Sequence, residues 1–187
     1  MHKPLLLLAS AIALALLAPS ASAAKNIEKV MGSITAEAGE TYGSLETVNG
    51  SIRLGEQSRA ASIETVNGSV FAARSSDIAG NVETVNGAIG LVDTDVHGSI
   101  ATVNGDITVG AGSHVHGGIT VEKPNNTWMP VSVKQRKLRI IVGPNAVVDG
   151  PLVFKREVNL YVHKTARIGT VTGATAMTYD GATAPKE

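Results

Sequence analysis

Three histidines have the residue type and spacing from which a metal site could be built. His97 and His116 lie 19 residues apart at equivalent positions of a sequence repeat, each just before a glycine, and His114 lies two residues before His116. Neutral imidazole is a common ligand of zinc and copper. Because we find no carboxylate in the sequence that would complete the ligand set, we interpret them as exposed histidines at a corner of the fold, with a metal site as the alternative.

Four asparagines recur at one place in a short motif. Thr-Val-Asn-Gly occurs four times, with its asparagine at Asn49, Asn67, Asn86 and Asn104. If the copies stack in register, the amides can bond to one another in a ladder, as in cross-β assemblies. We therefore expect a structural role for these residues rather than ligand binding.

An aromatic and basic group supplies the remaining candidate contacts. The only tryptophan, Trp128, lies beside prolines and is followed by basic residues that include Lys134, Arg136 and Lys137, while Tyr161 comes later. The tryptophan could plug an opening in the fold or stack on a sugar or a partner. The basic side chains could contact an anionic polymer, although a solvated face is the simpler interpretation.

The sequence contains none of the familiar catalytic motifs. There is no Gly-x-Ser-x-Gly, no His-Glu-x-x-His and no phosphate-binding loop. His163 is compatible with a left-handed β-helix acyltransferase, but the period does not divide into the hexapeptide coils of that fold. We therefore expect a protein that is not an enzyme, with no cofactor and no small-molecule substrate.

A regular repeat must position all these side chains. Apolar and polar residues alternate within each copy, which is typical of half-buried strands. A fixed period predicts stacked units that bury their apolar faces against each other. The repeat glycines follow one another at steps of 18, 18, 19 and 18 residues: Gly32, Gly50, Gly68, Gly87 and Gly105.

Two architectures fit this repeat. Each Asn-Gly could form a β-hairpin turn, or each copy could be one coil of a parallel β-helix. The later part of the chain favours the second, because the pattern Leu138, Ile140, Val142 returns 20 residues later as Val158, Leu160, Val162 without any Asn-Gly. We predict an all-β chain folded as a single-stranded parallel β-helix, or β-solenoid, of about eight coils of 18–20 residues.

The chain divides into five segments. Residues 1–23 have the charge, apolar run and small-residue cleavage site of a signal peptide, which predicts export to the periplasm, the cell surface or the medium. No later stretch is apolar enough to span a membrane. The other four segments are the Asn-Gly repeat solenoid at 24–121, an irregular basic insert at 122–137, further coils of the same solenoid at 138–173 and a tail at 174–187.

The net charge of zero conceals an asymmetry along the chain. Residues 24–118 contain five basic and eleven acidic side chains, whereas residues 119–187 contain ten basic and five acidic ones. A rod of stacked coils would therefore carry opposite charge at its two ends. This predicts self-association, or binding to an envelope polymer or protein, and nucleic acid is not an expected partner of an exported chain.

Two known families share these features. Through Thr47-Val48-Asn49-Gly50-Ser51-Ile52 and its copies, the chain resembles the bacterial putative-adhesin β-solenoid domains over residues 27–121. The segment at 141–150 is similar to coils of the bactofilins, which are polymer-forming bacterial β-helices. The resemblance implies an exported scaffold or adhesin-like protein without catalytic residues. The alternative is a module that binds a glycan or another envelope polymer through the Trp128 loop and the basic run.

Overall fold

Parallel β-strands form the regular structure of the residues that the structure describes. A computed structural model describes residues 24–124 and 136–186. In these residues the strands form two sheets, and every pair of neighbouring strands is parallel. The prediction of a β-solenoid is confirmed, and the hairpin alternative is excluded because successive copies run in the same direction. No helix within the described ranges is long and apolar enough to cross a membrane.

The strands are short, and we number them in chain order. The larger sheet has thirteen strands: β1 Lys25–Met31, β3 Thr41–Asn49, β5 Arg59–Asn67, β7 Asp77–Ile78, β8 Val82–Asn86, β10 Asp95–Val96, β11 Ile100–Asn104, β13 His114–Val115, β14 Ile119–Val121, β16 Val147–Val148, β17 Leu152–Phe154, β19 Arg167–Ile168 and β20 Val171–Thr172. The smaller sheet has eight: β2 Ile34–Ala36, β4 Ile52–Leu54, β6 Val70–Ala72, β9 Ile89–Leu91, β12 Ile107–Val109, β15 Leu138–Val142, β18 Val158–His163 and β21 Ala176–Tyr179.

Each coil of the solenoid has three faces. The nine-residue strand β5 bends, so that its first half pairs with β7 and its second half with β8. The larger sheet therefore consists of two ladders. We call the ladder of β3, the second half of β5, β8, β11, β14, β17 and β20 the first face and the smaller sheet the second face. The ladder of the first half of β5, β7, β10, β13, β16 and β19 is the third face.

The core consists of aliphatic columns that run through the stack. On the first face Leu45, Ile63, Val82, Ile100 and Ile119 are in register, and on the second face Ile34, Ile52, Val70, Ile89 and Ile107 are in register. All of these side chains are buried. Because a coil has apolar neighbours only above and below, this burial requires several coils to fold together.

The Asn-Gly corners join the first face to the second. None of their four glycines has a positive φ, which the two-residue turn of a β-hairpin requires. Glycine is needed here for a different reason: a Cβ built on Gly68 would overlap the carbonyl group of Gly50 in the coil below, and Gly87 and Gly105 are equally close to their neighbours. The corners stack too tightly for a side chain.

A second kind of turn joins the second face to the third. Gln57, Ser75, Asp93 and Asn145 have φ angles between 47° and 58° at equivalent positions of four coils. In three of those coils a buried hydroxyl follows immediately, and it donates a hydrogen bond back to the turn: Ser58 Oγ to Gly55 O at 2.8 Å, Ser76 Oγ to Ala73 O at 2.7 Å and Thr94 Oγ1 to Val92 O at 3.0 Å. The chain enters β5, β7, β10 and β16 through this turn.

The coils after the insert continue the same solenoid. β15 pairs with β12, and β17 pairs with β14, so the stacking is not interrupted on the first or the second face. The insert lies at a corner where earlier coils have Asn-Gly. The segment interpreted as a tail contains a strand, because β21 pairs with β18 at the end of the second face.

Candidate functional site: a histidine and aspartate cluster

The three predicted histidines lie together on the outside of the third face. His97 follows the buried Val96, and His114 and His116 lie on either side of the buried Val115. Because alternate residues of a strand point to the same side, a buried residue between two polar ones turns both polar side chains outward. The register of β10 with β13 then places these histidines on adjacent coils.

Three aspartates on the same face complete the cluster. Asp77 Oδ2 lies 3.2 Å from His97 Nε2, Asp95 Oδ1 lies 2.8 Å from His116 Nε2, and Asp149 Oδ2 lies 2.6 Å from His114 Nε2. Each of these pairs joins two neighbouring coils. The expectation that no carboxylate accompanies the histidines is therefore wrong.

The sequence contained part of the signal for these aspartates. Asp95-Val96-His97 and His114-Val115-His116 have the same alternation one coil apart, which suggests that Asp95 shares the outward face with the histidines. Asp149 could not be placed in the same way. It lies 35 residues after His114, because the insert displaces it from the repeat period.

The imidazole rings are stacked and accessible to solvent. The ring centroids of His114 and His116 are 3.9 Å apart, and those of His97 and His116 are 5.0 Å apart with planes inclined by only 6°. The six side chains of the cluster are between 35% and 53% exposed. An open cleft beside them is lined by Arg59, Asp77, Asp95 and His114, among other residues.

Two groups in this cluster have the composition of a metal site. Asp95, His97 and His116 form one, and His114, His116 and Asp149 form the other, with the potential ligand atoms of each group within 4.8 Å of one another. Two imidazoles and one carboxylate can hold a divalent transition metal while leaving coordination positions open. The carboxylates therefore supply the oxygen ligand that the three histidines lack among themselves.

The four asparagines form a ladder at the corner between the first and second faces. The amide Nδ2 of Asn67 donates to Asn49 Oδ1 at 3.1 Å, Asn86 donates to Asn67 at 3.0 Å, and Asn104 donates to Asn86 at 3.0 Å. Each amide inside the ladder thus uses one donor and its acceptor on its neighbours. This arrangement ties successive coils together.

A buried threonine column beside this ladder had no counterpart in the sequence interpretation. The hydroxyls of Thr47, Thr65 and Thr84 donate to the carbonyl oxygens of Gly32, Gly50 and Gly68 at 3.1, 2.9 and 3.0 Å. In the first three copies of the Thr-Val-Asn-Gly motif the threonine therefore satisfies the corner carbonyl of the preceding coil, whereas Thr102 Oγ1 in the fourth copy is buried without a hydrogen-bond partner. The signal for this column in the sequence is that a buried position, which valine could fill, is threonine in every copy of the motif.

The other candidate contacts do not form one site. Arg136 Nη2 pairs with Asp106 Oδ1 at 3.0 Å, and Lys137 Nζ pairs with Glu157 Oε2 at 3.2 Å. Tyr161 is only 8% exposed. Trp128 and Lys134 lie outside the described residues.

Tyr161 is buried because the end of the chain folds back over the second face. Its ring lies against Arg139, whose guanidinium carbon is 5.2 Å from the ring centroid. Arg139 in turn donates to the carbonyl oxygens of Ala184 and Pro185, and Ala184 packs with Tyr161 and Tyr179. Burial raises the pKa of the nearby Tyr179, and the charge of Arg139 opposes this effect.

Comparison with known proteins adds no evidence on function to that of the fold and the cluster. No protein-family model matches this chain, and no curated protein or solved structure is significantly similar to it.

Proposed function

We propose that this chain is an exported, non-enzymatic scaffold of the cell envelope, which assembles end to end. Three observations support the proposal: the signal-peptide pattern of residues 1–23, the solenoid fold, and the condition of the solenoid ends. The resemblance to adhesin-like solenoids and bactofilins points in the same direction. Residues 1–23 lie outside the described part of the chain.

The observation that carries the proposal is the open edge of β1. In the described residues this seven-residue strand is bonded to β3 on one side only. It exposes two large apolar side chains, with Val30 69% and Met31 79% accessible. An unpaired strand edge with exposed apolar side chains is a template for another strand.

The opposite end of the solenoid offers the matching edge. β19, β20 and β21 each pair with one neighbour only among the described strands. A parallel stack that has a free strand edge at each end can continue from one molecule into the next, and such head-to-tail contacts generate filaments when they do not close into a ring. A second copy of this chain is therefore the proposed partner.

Charge favours this orientation of the contact. Residues 24–118 are acidic overall and residues 119–187 are basic overall. When the amino-terminal end of one copy approaches the carboxy-terminal end of another, unlike charges come together. Contact between two amino-terminal ends, or between two carboxy-terminal ends, brings like charges together. Head-to-tail association is thus preferred over head-to-head or tail-to-tail association.

The alternative, a glycan-binding face at the basic run, has less support. Within the described residues, Arg136 and Lys137 of that run are already in ion pairs, with Asp106 and Glu157 respectively. Tyr161, the proposed aromatic contact, is covered by the end of the chain.

Light scattering and electron microscopy of the purified protein test the assembly. At low ionic strength we expect species that lengthen with protein concentration and appear as rods or filaments of one width. Added salt should shorten them, because it screens the attraction between unlike ends. A protein that stays monomeric at low salt and high concentration would overturn the proposal.

A matched pair of variants locates the contact. Val30→Lys combined with Met31→Lys places charge on the open edge and should abolish growth, since lysine on an edge strand opposes strand addition. Phe71→Lys combined with Val85→Lys places the same charge on two exposed apolar residues in the middle of the stack, 40% and 38% accessible, and should leave growth unchanged. Equal effects of the two changes would contradict a contact through β1.

A further inference from the structure

Two donor nitrogens of the histidine and aspartate cluster converge on one carboxylate. Asp149 Oδ2 lies 2.6 Å from His114 Nε2 and 3.7 Å from His116 Nδ1. His114 lies on β13, and His116 and Asp149 are the residues that follow β13 and its neighbour β16. From this geometry we infer that His114, His116 and Asp149 bind one divalent transition-metal ion, with zinc as the expected ion.

The present spacing is close to what a bound ion needs. Zinc ligands lie about 2.0–2.2 Å from the metal in a tetrahedral arrangement, which places the ligand atoms about 3.3–3.5 Å from each other. The distance from Asp149 to His116 already has nearly this value. The Asp149 to His114 pair has to open by less than about 1 Å, which a side-chain rotation of the half-exposed Asp149 can supply. When zinc binds, the neutral His114 ring carries its proton on Nδ1, so that the lone pair of Nε2 is free to ligate.

A second aspartate prepares His116 for the metal. An ionised carboxylate only accepts hydrogen bonds, so Asp95 Oδ1, at 2.8 Å from His116 Nε2, fixes the proton of the neutral ring on Nε2. The lone pair is then on Nδ1, the atom that faces Asp149. A carboxylate behind a ligating histidine is the usual support of such ligands in metal sites, and we assign Asp95 as a positioning residue.

The site takes one ion, although two donor groups can be drawn. Asp95, His97 and His116 form the second group, but both groups include His116. A neutral imidazole has a single lone pair, so His116 can ligate a metal through Nδ1 or through Nε2 and not through both. Since Asp95 holds the proton on Nε2, the group with His114 and Asp149 is the one that coordinates.

The donor set also selects the kind of ion. Two imidazole nitrogens and one carboxylate oxygen suit zinc, copper and nickel, whereas calcium and magnesium prefer oxygen ligands only. Three protein ligands leave at least one coordination position of a tetrahedral ion open to solvent or to a donor from elsewhere. The site lies on the third face at β13 and β16, with β19 between it and the end of the stack. None of its ligands belongs to the terminal strands of the proposed contact, so metal binding is tested independently of that contact.

Titration calorimetry with Zn²⁺ tests the inference on the intact chain. We expect one ion per chain and no binding of Ca²⁺ at the same concentration. His114→Ala, His116→Ala and Asp149→Asn should each weaken Zn²⁺ binding by more than about 100-fold, because each removes a ligand, whereas Asp95→Asn should weaken it by about 10–100-fold through loss of orientation.

His97→Ala is the matched control. It removes an imidazole that stacks on His116 at 5.0 Å but lies outside the ligand set, so Zn²⁺ affinity should change by less than about threefold. The copper form supplies an independent readout, because its electron paramagnetic resonance spectrum should show coupling to two nitrogens in the wild type and in His97→Ala, and to one in His114→Ala. Circular dichroism checks that each variant is folded.

Two results would overturn the inference. The first is Zn²⁺ binding that survives in the His114→Ala, His116→Ala double variant with the affinity of the wild type. The second is a loss in His97→Ala as large as that in His114→Ala, because it would mean that the other group holds the ion.

Discussion

The guanidinium of Arg156 donates a hydrogen bond to Asn104 Oδ1 at 2.7 Å and so closes the upper end of the asparagine ladder. The register of Val121 with Phe154 places Arg156 opposite Lys123, in line with the asparagine column. The same guanidinium donates to the carbonyl oxygens of Val103 and Arg136, each at 3.1 Å. One side chain thus bonds to the coil that precedes the insert and to the last part of the insert itself.

Arg156→Ala should therefore lower the free energy of unfolding by about 1–3 kcal/mol, the usual cost of losing hydrogen bonds from a charged group whose acceptors stay in place. Chemical denaturation measures the effect. Lys155→Ala is the control: it removes an exposed ion pair of 2.7 Å with Glu122 and should cost less than about 1 kcal/mol. Equal losses would mean that closing the ladder adds nothing beyond a surface ion pair.

The stacked corners predict opposite effects of one substitution at two glycines. In Gly68→Ala the new methyl group overlaps the backbone of Gly50, and we expect a loss of at least about 3 kcal/mol in unfolding free energy, since coil spacing cannot change at one corner alone. In Gly90→Ala the nearest atom is Phe71 Cδ2 at 3.5 Å, an ordinary contact. This variant should be neutral, or more stable by up to about 1 kcal/mol, because alanine restricts the unfolded chain.

Thermal melts of Gly68→Ala and Gly68→Asn, at matched protein concentration, distinguish this steric account from one in which Gly68 is needed for its turn conformation. If Gly68 were required for its backbone angles, Gly68→Asn would be tolerated, because asparagine adopts left-handed conformations readily. We expect Gly68→Asn to be as harmful as Gly68→Ala.

The contribution of a core side chain should depend on its position along the stack. Ile100 is fully buried between coils, and Ile100→Ala should cost about 2–5 kcal/mol. Ile168, in the last third-face strand, is only partly buried, so Ile168→Ala should cost less than half as much. Hydrogen exchange gives a second measure, with slower exchange expected in β8 and β11 than in β19 and β20.

The sequence predicts the stacked columns well because they depend on local alternation and a fixed period. Leu45, Ile63 and Val82 are each flanked by polar residues and recur at nearly constant spacing, so no long-range information is needed to align them. The asparagine ladder follows from the same alignment. Parallel stacking is then the arrangement that brings like residues together.

The histidine and aspartate cluster could be predicted only in part, because it combines two effects that the period does not contain. Asp77 and His97 are 20 residues apart, and Asp95 and His116 are 21 apart. Both separations exceed the period because each aspartate contacts a histidine two residues beyond its own register partner on the next coil. Asp149 falls into line with the cluster only when the residues of the insert are left out of its 35-residue separation from His114. The strand β21 was missed for a similar reason: Ala176–Tyr179 repeats β18 at a shorter spacing, with Leu160 in register with Ala176.

The buried Tyr179 predicts a loss of stability at alkaline pH. Burial raises the pKa of this phenol above its ordinary value, against the opposing effect of Arg139, so the folded state holds the proton more tightly than the unfolded state does. The stabilisation is fully present below the ordinary pKa of tyrosine, about 10, and is lost as the pH rises through the higher folded-state value.

Unfolding free energies measured from pH 8 to pH 11.5 should therefore fall more steeply for the wild type than for Tyr179→Phe, which has no proton to lose. Because the aromatic ring and its edge contact with His163 at 5.0 Å persist in phenylalanine, the two proteins should differ little at pH 8. Parallel curves over the whole range would show that ionisation of Tyr179 is not linked to folding.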